Sequence, residues 1–469
     1  MKLTILGGGG FRTPIVYHAL LRDTGAPRIT EVALLDVDAA RLESISRVLR
    51  EQARGFPDAP TLTTTTDART AIAGADFVFA AIRVGGLAGR RADEHVALSL
   101  GVLGQETTGP GGIAYALRTV PVMLDYARLI AELAPDAYLL NFTNPAGIIT
   151  EALQAVLGDR VLGICDTPSG LGRRLAALLG PRFGDDIDPG HLQFDYIGLN
   201  HLGWMRRVLY DGRDLLPNLL ADDNLLGTLE ESQVFGRDWI RALGAIPNEY
   251  LYYYYFNREA VANVLASPLT RGDFLEQTQG AFFRELSAAP LLGTPLSGTQ
   301  NDPVALWRAA VRERDASYMA EAKGGVQGHP KAERELELDP AQQGYAGVAL
   351  AVMRAISRNE PTTMILNVRN AGTIAGLPDD AVVEVPTLVD ADGVHPLNTP
   401  APDLGQLGLM QRVKAVERHA IAAATTGNAS EALKAFSLHP LVDSVTVGKQ
   451  LLAGYREAIP AIDGLFKRP

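Results

Sequence analysis

The chain opens with a short apolar run, Leu3 to Leu6, which stops at four glycines and gives way to helical spacing from Pro14 to Leu21. Strand-like and helix-like patterns alternate from there. Glu31 to Leu35 predicts a strand ending at Asp36, and Ala39 to Phe56 a helix rich in Arg, Leu and Glu. Thr61 to Thr65 predicts a third strand and Asp76 to Ile82 a firmer one. A long helix follows, from Ala114 to Leu133, with Pro121 as a place to kink. Ala137 to Phe142, Pro145 to Leu157 and Arg160 to Ile164 read as strand, helix and strand. Such alternation predicts a doubly wound parallel sheet up to residue 170.

After Gly180 the pattern changes. Gln193 to Leu199 predicts a strand, and Met205 to Leu216 paired strands turning at Asp211-Gly212. Helical stretches then dominate, Ala346 to Asn359 among them. Met364 to Val368 and Ala381 to Val385 suggest a small mixed sheet, and Leu407 to Thr425 and Ser430 to Leu438 closing helices. Lys323 to Gln343, rich in Gly, Pro and charge, reads as a loop or lid. The fold class is therefore α/β, with an N-terminal Rossmann-type doubly wound sheet (1–170) and a C-terminal mixed α+β domain (171–469). The overall plan is lactate/malate dehydrogenase-like.

Composition narrows the function classes. With 469 residues, 47% hydrophobic and 21% charged, the chain can bury a substantial core. A net charge of −11 weighs against nucleic acid or an anionic membrane as partner. No apolar stretch approaches the ~20 residues of a membrane helix, and the opening run is too short for a secretory signal. The single cysteine, Cys165, excludes an intrachain disulfide and fits a reducing compartment, so a cytoplasmic location is expected.

Candidate chemistry sits where the strands end. Gly7, Gly8, Gly9 and Gly10, with Phe11, Arg12 and Thr13, join a strand to a helix. Glycines there let the backbone approach a pyrophosphate, and the helix N-terminus favours the anion. Arg12 stands where the third glycine of the dinucleotide fingerprint belongs. Asp36, at the end of the next strand, suits a ribose hydroxyl and disfavours a 2′-phosphate, which points to NAD. Arg83-Val84-Gly85-Gly86, Gln105-Glu106-Thr107 and Asn141-Phe142-Thr143-Asn144-Pro145 supply polar heads to the same crevice. Arg83 suits an anionic or hydroxyl-rich substrate, and the Asn141 and Asn144 amides suit vicinal hydroxyls. Cys165-Asp166 and Asn200-His201 each follow an apolar strand. A thiolate and an imidazole could share a divalent ion with an open shell. For a lone cysteine or histidine, a buried apolar cysteine and a hydrogen-bonded core histidine are the commoner readings, and residue chemistry alone leaves the metal a conjecture. The run from Glu249 to Phe256, EYLYYYYF, is an aromatic core segment from which one tyrosine could serve as a base.

Taken in order, these motifs resemble the family 4 glycoside hydrolases, which depend on NAD and a metal. The resemblance covers most of the chain and extends to Gly163-Ile164-Cys165-Asp166, Gly198-Leu199-Asn200-His201, Thr270-Arg271-Gly272, Asn367-Val368 and Val383-Glu384-Val385-Pro386. The family's missing third glycine accounts for Arg12. The tyrosine run and Thr270-Arg271-Gly272 look most like the 6-phospho-β-glucosidases, whereas Asp166 stands as in the 6-phospho-α-glucosidases. The resemblance implies NAD and Mn²⁺ as cofactors, with Cys165 and His201 as metal ligands. It implies oxidation of the sugar at C3, removal of the C2 proton by Tyr250, elimination at C1 with Asp166 as proton donor, addition of water and re-reduction. It further implies Glu106 and Asn144 near the nicotinamide, Asn141 and Asn144 on sugar hydroxyls, Arg83 gripping substrate, and Arg271 on a phosphate. A homodimer or homotetramer acting on a phosphosugar is expected. An α-glycosidase of the same family, a 2-hydroxy-acid dehydrogenase and a non-catalytic NAD sensor are the rival readings. The dehydrogenase needs no metal and accumulates NADH, and the sensor shows no turnover.

Overall fold

Apolar β-runs and helices alternate in the computed structural model much as the hydrophobic pattern requires. Residues 1–179, 192–288, 302–316, 322 and 344–467 are described, so the expected lid at Lys323 to Gln343 lies outside them. Six strands form the first half: β1 (Lys2–Leu6), β2 (Glu31–Leu35), β3 (Thr61–Thr65), β4 (Phe77–Ala80), β5 (Tyr138–Asn141) and β6 (Val161–Gly163). They pair in the order β3-β2-β1-β4-β5-β6, all parallel. The order reverses between β1 and β4, and a doubly wound sheet opens its ligand crevice at that point.

The remaining strands are β7 (Gln193–Leu199), β8 (Leu202–Tyr210), β9 (Arg213–Asp214), β10 (Ile246–Pro247), β11 (Thr362–Arg369), β12 (Val382–Asp390) and β13 (Gly393–Pro396). The expected strands at Met364 to Val368 and Ala381 to Val385 form and pair with each other, as part of the larger sheet. β11 joins the edge of β6 through Asn367 and Gly163, and β12 joins β7 through Glu384 and Gly198. Among the described residues the result is one sheet of 13 strands. Its physical reason is visible at Gly163, where a Cβ would stand 2.7 Å from Asn367 Cβ. Only glycine lets the strands approach at that point.

One row of residues crosses the sheet: Leu35, Leu6, Ala80, Asn141, Gly163, Asn367, Glu384, Gly198 and Gly203. The segments that carry the candidate chemistry leave their strands directly beyond this row. Alternation along the strands splits the core in two. Leu3, Ile5, Phe77, Phe79, Leu140 and Leu162 face one side, with Trp204 and Tyr345. Val78, Ala80, Leu139 and Val161 face the other, with Phe436 and Tyr455.

The helix after β4 begins at Pro110, earlier than its apolar pattern indicated, and runs through Pro121 to Leu133. Proline in the first turn costs no hydrogen bond. A preceding helix, Gly86–Ser99, went unseen because its mean polarity hides the buried face around Arg90, Asp93 and Glu94. The helix Leu404–Thr426 opens with a capping box at Asp403 and Gln406 and packs along Pro110–Leu133. Two further helices, Val445–Ala458 and Pro460–Leu465, complete that layer.

Candidate active site

At the β1–β4 switch point Gly7 takes φ +85°, and a Cβ there would come 2.7 Å from the Ala81 carbonyl oxygen, so only glycine fits. The Gly7 and Gly8 amides donate to the Leu35 carbonyl, which ties the loop to the end of β2. The Gly9 amide donates to Asp36 Oδ2 at 3.1 Å, and Asp38 N donates to Oδ1 at 3.1 Å. Burial raises the Asp36 carboxyl above its ordinary value, against the pull of those two amides. A Cβ on Gly9 would approach Asp36 Oδ2 to 3.0 Å and fill the space beside it. The loop thus fits a dinucleotide: a close backbone, a helix N-terminus at Thr13 and a carboxylate for a ribose hydroxyl. Arg12 departs from the fingerprint without blocking the loop. Its guanidinium lies 4.8 Å from the Phe142 ring centre and 5.0 Å from that of Tyr345, and its carbonyl accepts the Tyr345 hydroxyl. Phe11 is buried against Phe282, and its carbonyl accepts the Trp307 indole N–H.

Cys165 emerges two residues beyond β6 and is buried. Asp166 then begins the helix Asp166–Leu179. Across the row, Glu384 is fully buried and accepts hydrogen bonds from Asn367 (2.9 Å), Tyr196 (3.0 Å) and Asn200 (3.3 Å). Burial raises its carboxyl to about 7, with the three donors pulling it back. The Cys165 thiol is pushed well up by burial, and further by Glu384 and Asp166.

The tip between β7 and β8 carries Asn200 and His201, with His201 in the left-handed region at φ 62°. A Cβ on Gly147, at the start of the helix after β5, would meet Asn200 Cβ at 3.3 Å, so the tip lies over the β5 end. Burial lowers the His201 pKa to about 4, with Asp166, Glu249 and Glu106 pulling the other way. The ring is neutral at neutral pH, as a metal ligand must be. Thr167, two residues after Cys165, donates to Glu249, whose neighbour Tyr250 stacks on His201, so the two expected ligands lie on segments that touch. Among the described residues no group of three or more His, Cys, Asp and Glu side chains is arranged for a metal. A cation would displace the Cys165 thiol proton, and the resulting thiolate with a neutral imidazole would leave such a shell open to substrate oxygens, a donor set that fits a borderline cation.

Tyr250 stacks on His201 with ring centres 3.7 Å apart and planes 2° from parallel. The other rings make other contacts, Tyr253 lying against Tyr250 and Tyr252. Tyr252 stacks on Phe256, Tyr254 lies near His439, and the Tyr255 hydroxyl accepts the Trp204 indole N–H at 2.9 Å. Asn248 Oδ1 caps the turn by accepting the Tyr250 amide at 3.0 Å. Its neighbour Glu249 accepts the Thr167 hydroxyl at 3.2 Å, joining the tyrosine turn to the Cys165–Asp166 segment.

Glu106 pairs with Arg83 at 2.5 Å and Arg90 at 2.6 Å. Burial pushes its carboxyl up, but the two guanidiniums outweigh burial and hold it at about 2. Arg83 also faces the Tyr115 ring at 5.0 Å. Asn141 is fully buried and its amide is spent within its own loop. Nδ2 donates toward Thr143 O, Ala146 O and Thr150 Oγ1, and Oδ1 accepts Thr143 N. Asn144 is half-buried, next to a cis peptide bond with Pro145, and caps Ala146 N. Arg271 begins the helix Arg271–Ala288 and donates to the Arg314 carbonyl at 2.7 Å. Burial and the nearby Arg12 and Arg271 lower the Arg314 guanidinium to about 9. Three cations therefore crowd one region beside the glycine loop.

Several residues had no individual role from the sequence: Gln105, Thr107, Thr167, Tyr196, Asn248, Glu249, Asn367 and Glu384. Glu384 left a signal, a carboxylate flanked by Val383 and Val385 in the apolar stretch of the strand Val382–Asp390. The others reveal themselves only through pairing across the chain.

Comparison with known proteins gives a consistent picture. The family described as "Family 4 glycosyl hydrolase" matches residues 2–180, and its C-terminal domain matches residues 196–442. A "Probable 6-phospho-beta-glucosidase" of Bacillus subtilis (strain 168) is 30% identical over 467 residues, covering 98% of this chain and 96% of the relative. A 6-phospho-alpha-glucosidase of Leptotrichia buccalis is 29% identical, covering 97% of each chain. The structure of the 6-phospho-beta glucosidase from Thermotoga maritima with manganese, NAD+ and glucose-6-phosphate superposes with a TM-score of 0.79. It shares 26% identity and covers 98% of each chain.

Proposed function

This chain belongs to family 4 of the glycosyl hydrolases, and from that premise we propose that it hydrolyses 6-phosphoglucosides, preferring the β-anomer, with NAD and Mn²⁺. Relatives of both anomeric types match along nearly the whole chain, and one of them binds manganese, NAD+ and glucose-6-phosphate. The observation that carries the reading is the stacking of Tyr250 on His201. It sets a candidate base for C2 against a candidate cation ligand.

When bound, NAD supplies a reversible oxidation at C3, and the divalent cation supplies charge stabilisation to the neighbouring oxygens. The chain's own residues do the rest. Asp36 receives a ribose hydroxyl, and the loop Gly7 to Thr13 receives the pyrophosphate. Cys165 and His201 hold the cation. Tyr250 takes the C2 proton, and Asp166, beside Cys165, gives a proton to the oxygen that leaves C1; water then adds, its hydroxyl to C1 and a proton back to C2. Arg83, braced by Glu106, grips substrate. Asn144 reaches toward sugar and nicotinamide, while Asn141 acts by fixing the loop that presents it. Arg271, with Arg12 and Arg314 close by, meets the 6-phosphate, because a dianion offsets the repulsion within that cluster. Residues 1–170 carry the cofactor, and residues 171–469 supply His201, Tyr250 and Arg271.

The α-anomer is the second reading, favoured by Asp166. Nitrophenyl α- and β-glucosides, each with and without a 6-phosphate, separate the two. The enzyme is first stripped by chelation and dialysis and then reconstituted. Turnover of the 6-phospho-β-glucoside, returning only with both NAD and Mn²⁺, is expected. Full activity of stripped enzyme, or turnover confined to unphosphorylated or α substrates, contradicts the proposal.

A further inference from the structure

Gln105, Thr107 and His201 form a chain of hydrogen bonds whose proton positions follow from simple counting. Gln105 Oε1 accepts the backbone amides of Thr107 and Thr108, each at 2.6 Å. An atom that receives two N–H donors is an oxygen and can only accept. The Thr107 hydroxyl lies 3.1 Å from that oxygen and 3.0 Å from His201 Nδ1. It has one proton to give. Given to His201, the proton leaves two oxygens facing each other at 3.1 Å with lone pair against lone pair. Given to Gln105, it makes both contacts hydrogen bonds, provided Nδ1 carries a hydrogen and donates to Thr107. Only the second arrangement turns the 3.1 Å oxygen–oxygen contact from a repulsion into a hydrogen bond, and it does so beside the buried ring of His201, where water screens little.

We propose that Thr107, oriented by Gln105, is a positioning residue that fixes His201 as the Nδ1–H tautomer and reserves the Nε2 lone pair for the divalent cation. The inference rests on the reading of His201 as a cation ligand. Outer-shell partners of this kind orient the ring and raise its basicity. The left-handed backbone of His201 and the face-on Tyr250 hold the ring's tilt, and Thr107 sets which nitrogen is bare. The segment Gln105-Glu106-Thr107 therefore serves two ends. Its carboxylate braces Arg83, and its hydroxyl prepares the histidine.

The test uses the full-length, metal-free protein labelled with 15N-histidine, and Mn²⁺ alone as the probe. The His201 signals are assigned by their loss in His201→Asn, and long-range 15N–1H correlation then reports which ring nitrogen bears the hydrogen. Wild type and Thr107→Ser are expected to show Nδ1–H. Thr107→Val is expected to lose that preference, and to weaken Mn²⁺ binding by ~10-fold or more, read from the free-ion EPR signal. Gln105→Met, which frees the Thr107 proton to turn toward Nδ1, is expected to shift the ring toward Nε2–H. Nε2–H in wild type, or Thr107→Val with wild-type tautomer and wild-type Mn²⁺ affinity, overturns the proposal. A tautomer change without loss of affinity overturns its link to the cation. If His201→Asn itself binds Mn²⁺ like wild type, it is the ligand reading that fails, and the nitrogen spectra still decide the role of Thr107.

Discussion

Replacing Glu106 with Gln removes one negative charge that two guanidiniums share. Arg90 keeps a second partner in Glu94 at 3.0 Å, whereas Arg83 loses its paired carboxylate. Lowering a buried carboxyl from 4.5 to about 2 corresponds to about 3 kcal/mol of folding stability, at ~1.4 kcal/mol per tenfold change in acidity. Breaking a buried ion pair from one side costs ~3–5 kcal/mol by general experience, so two independent routes agree in size. The sign follows from the depressed value. The contribution is complete above the unfolded carboxyl's 4.5 and is lost as pH falls through about 2. Urea unfolding of the cofactor-free proteins is the assay. Glu106→Gln should be less stable than wild type by about 3 kcal/mol near neutrality, and the gap should shrink by roughly a third to a half at about pH 3.5. A gap under about 1 kcal/mol, or one that stays constant over that range, refutes the view that Arg83 and Arg90 hold this carboxylate ionised.

Tyr250→Phe should lower kcat ~10²- to 10⁴-fold with Mn²⁺ affinity kept. Tyr255→Phe, which loses only the Trp204 bond, should keep its rate and cost about 1 kcal/mol of stability. Arg271→Ala should raise KM for a 6-phosphorylated glucoside at least ~10-fold, the equivalent of a charge-assisted bond, and leave the unphosphorylated substrate's KM unmoved. Gly7→Ala, forced into φ +85° against the Ala81 carbonyl, should cost at least ~1–2 kcal/mol and weaken NAD binding measured by calorimetry.

The parallel half of the fold was legible because its strands are short and closed by polar punctuation, apolar in the middle of the sheet and β-branched at the exposed edge strand β3. β1, β2 and β3 fall where the pattern puts them. The antiparallel half was harder. That β11 attaches to β6 depends on one glycine, Gly163, opposite Asn367, and no local pattern announces so long-range a pairing. The helix Gly86–Ser99 was hidden by its own buried charges, Arg90, Asp93 and Glu94, which mimic a surface segment. The site was legible as a set of polar strand ends, and less so as a division of labour. Asn141 reads like a ligand-binding amide, but four contacts within its loop occupy it. The tyrosine run offers many equivalent rings, and only the packing around Trp204, His439 and Phe256 leaves Tyr250 on His201.

The most direct test of the elimination chemistry is hydrolysis of a 6-phospho-β-glucoside in D₂O, with the product read by NMR at C2. Proton removal by Tyr250 and return from solvent predicts deuterium at C2 of the released sugar. Product formed at full rate with hydrogen retained at C2 contradicts the account.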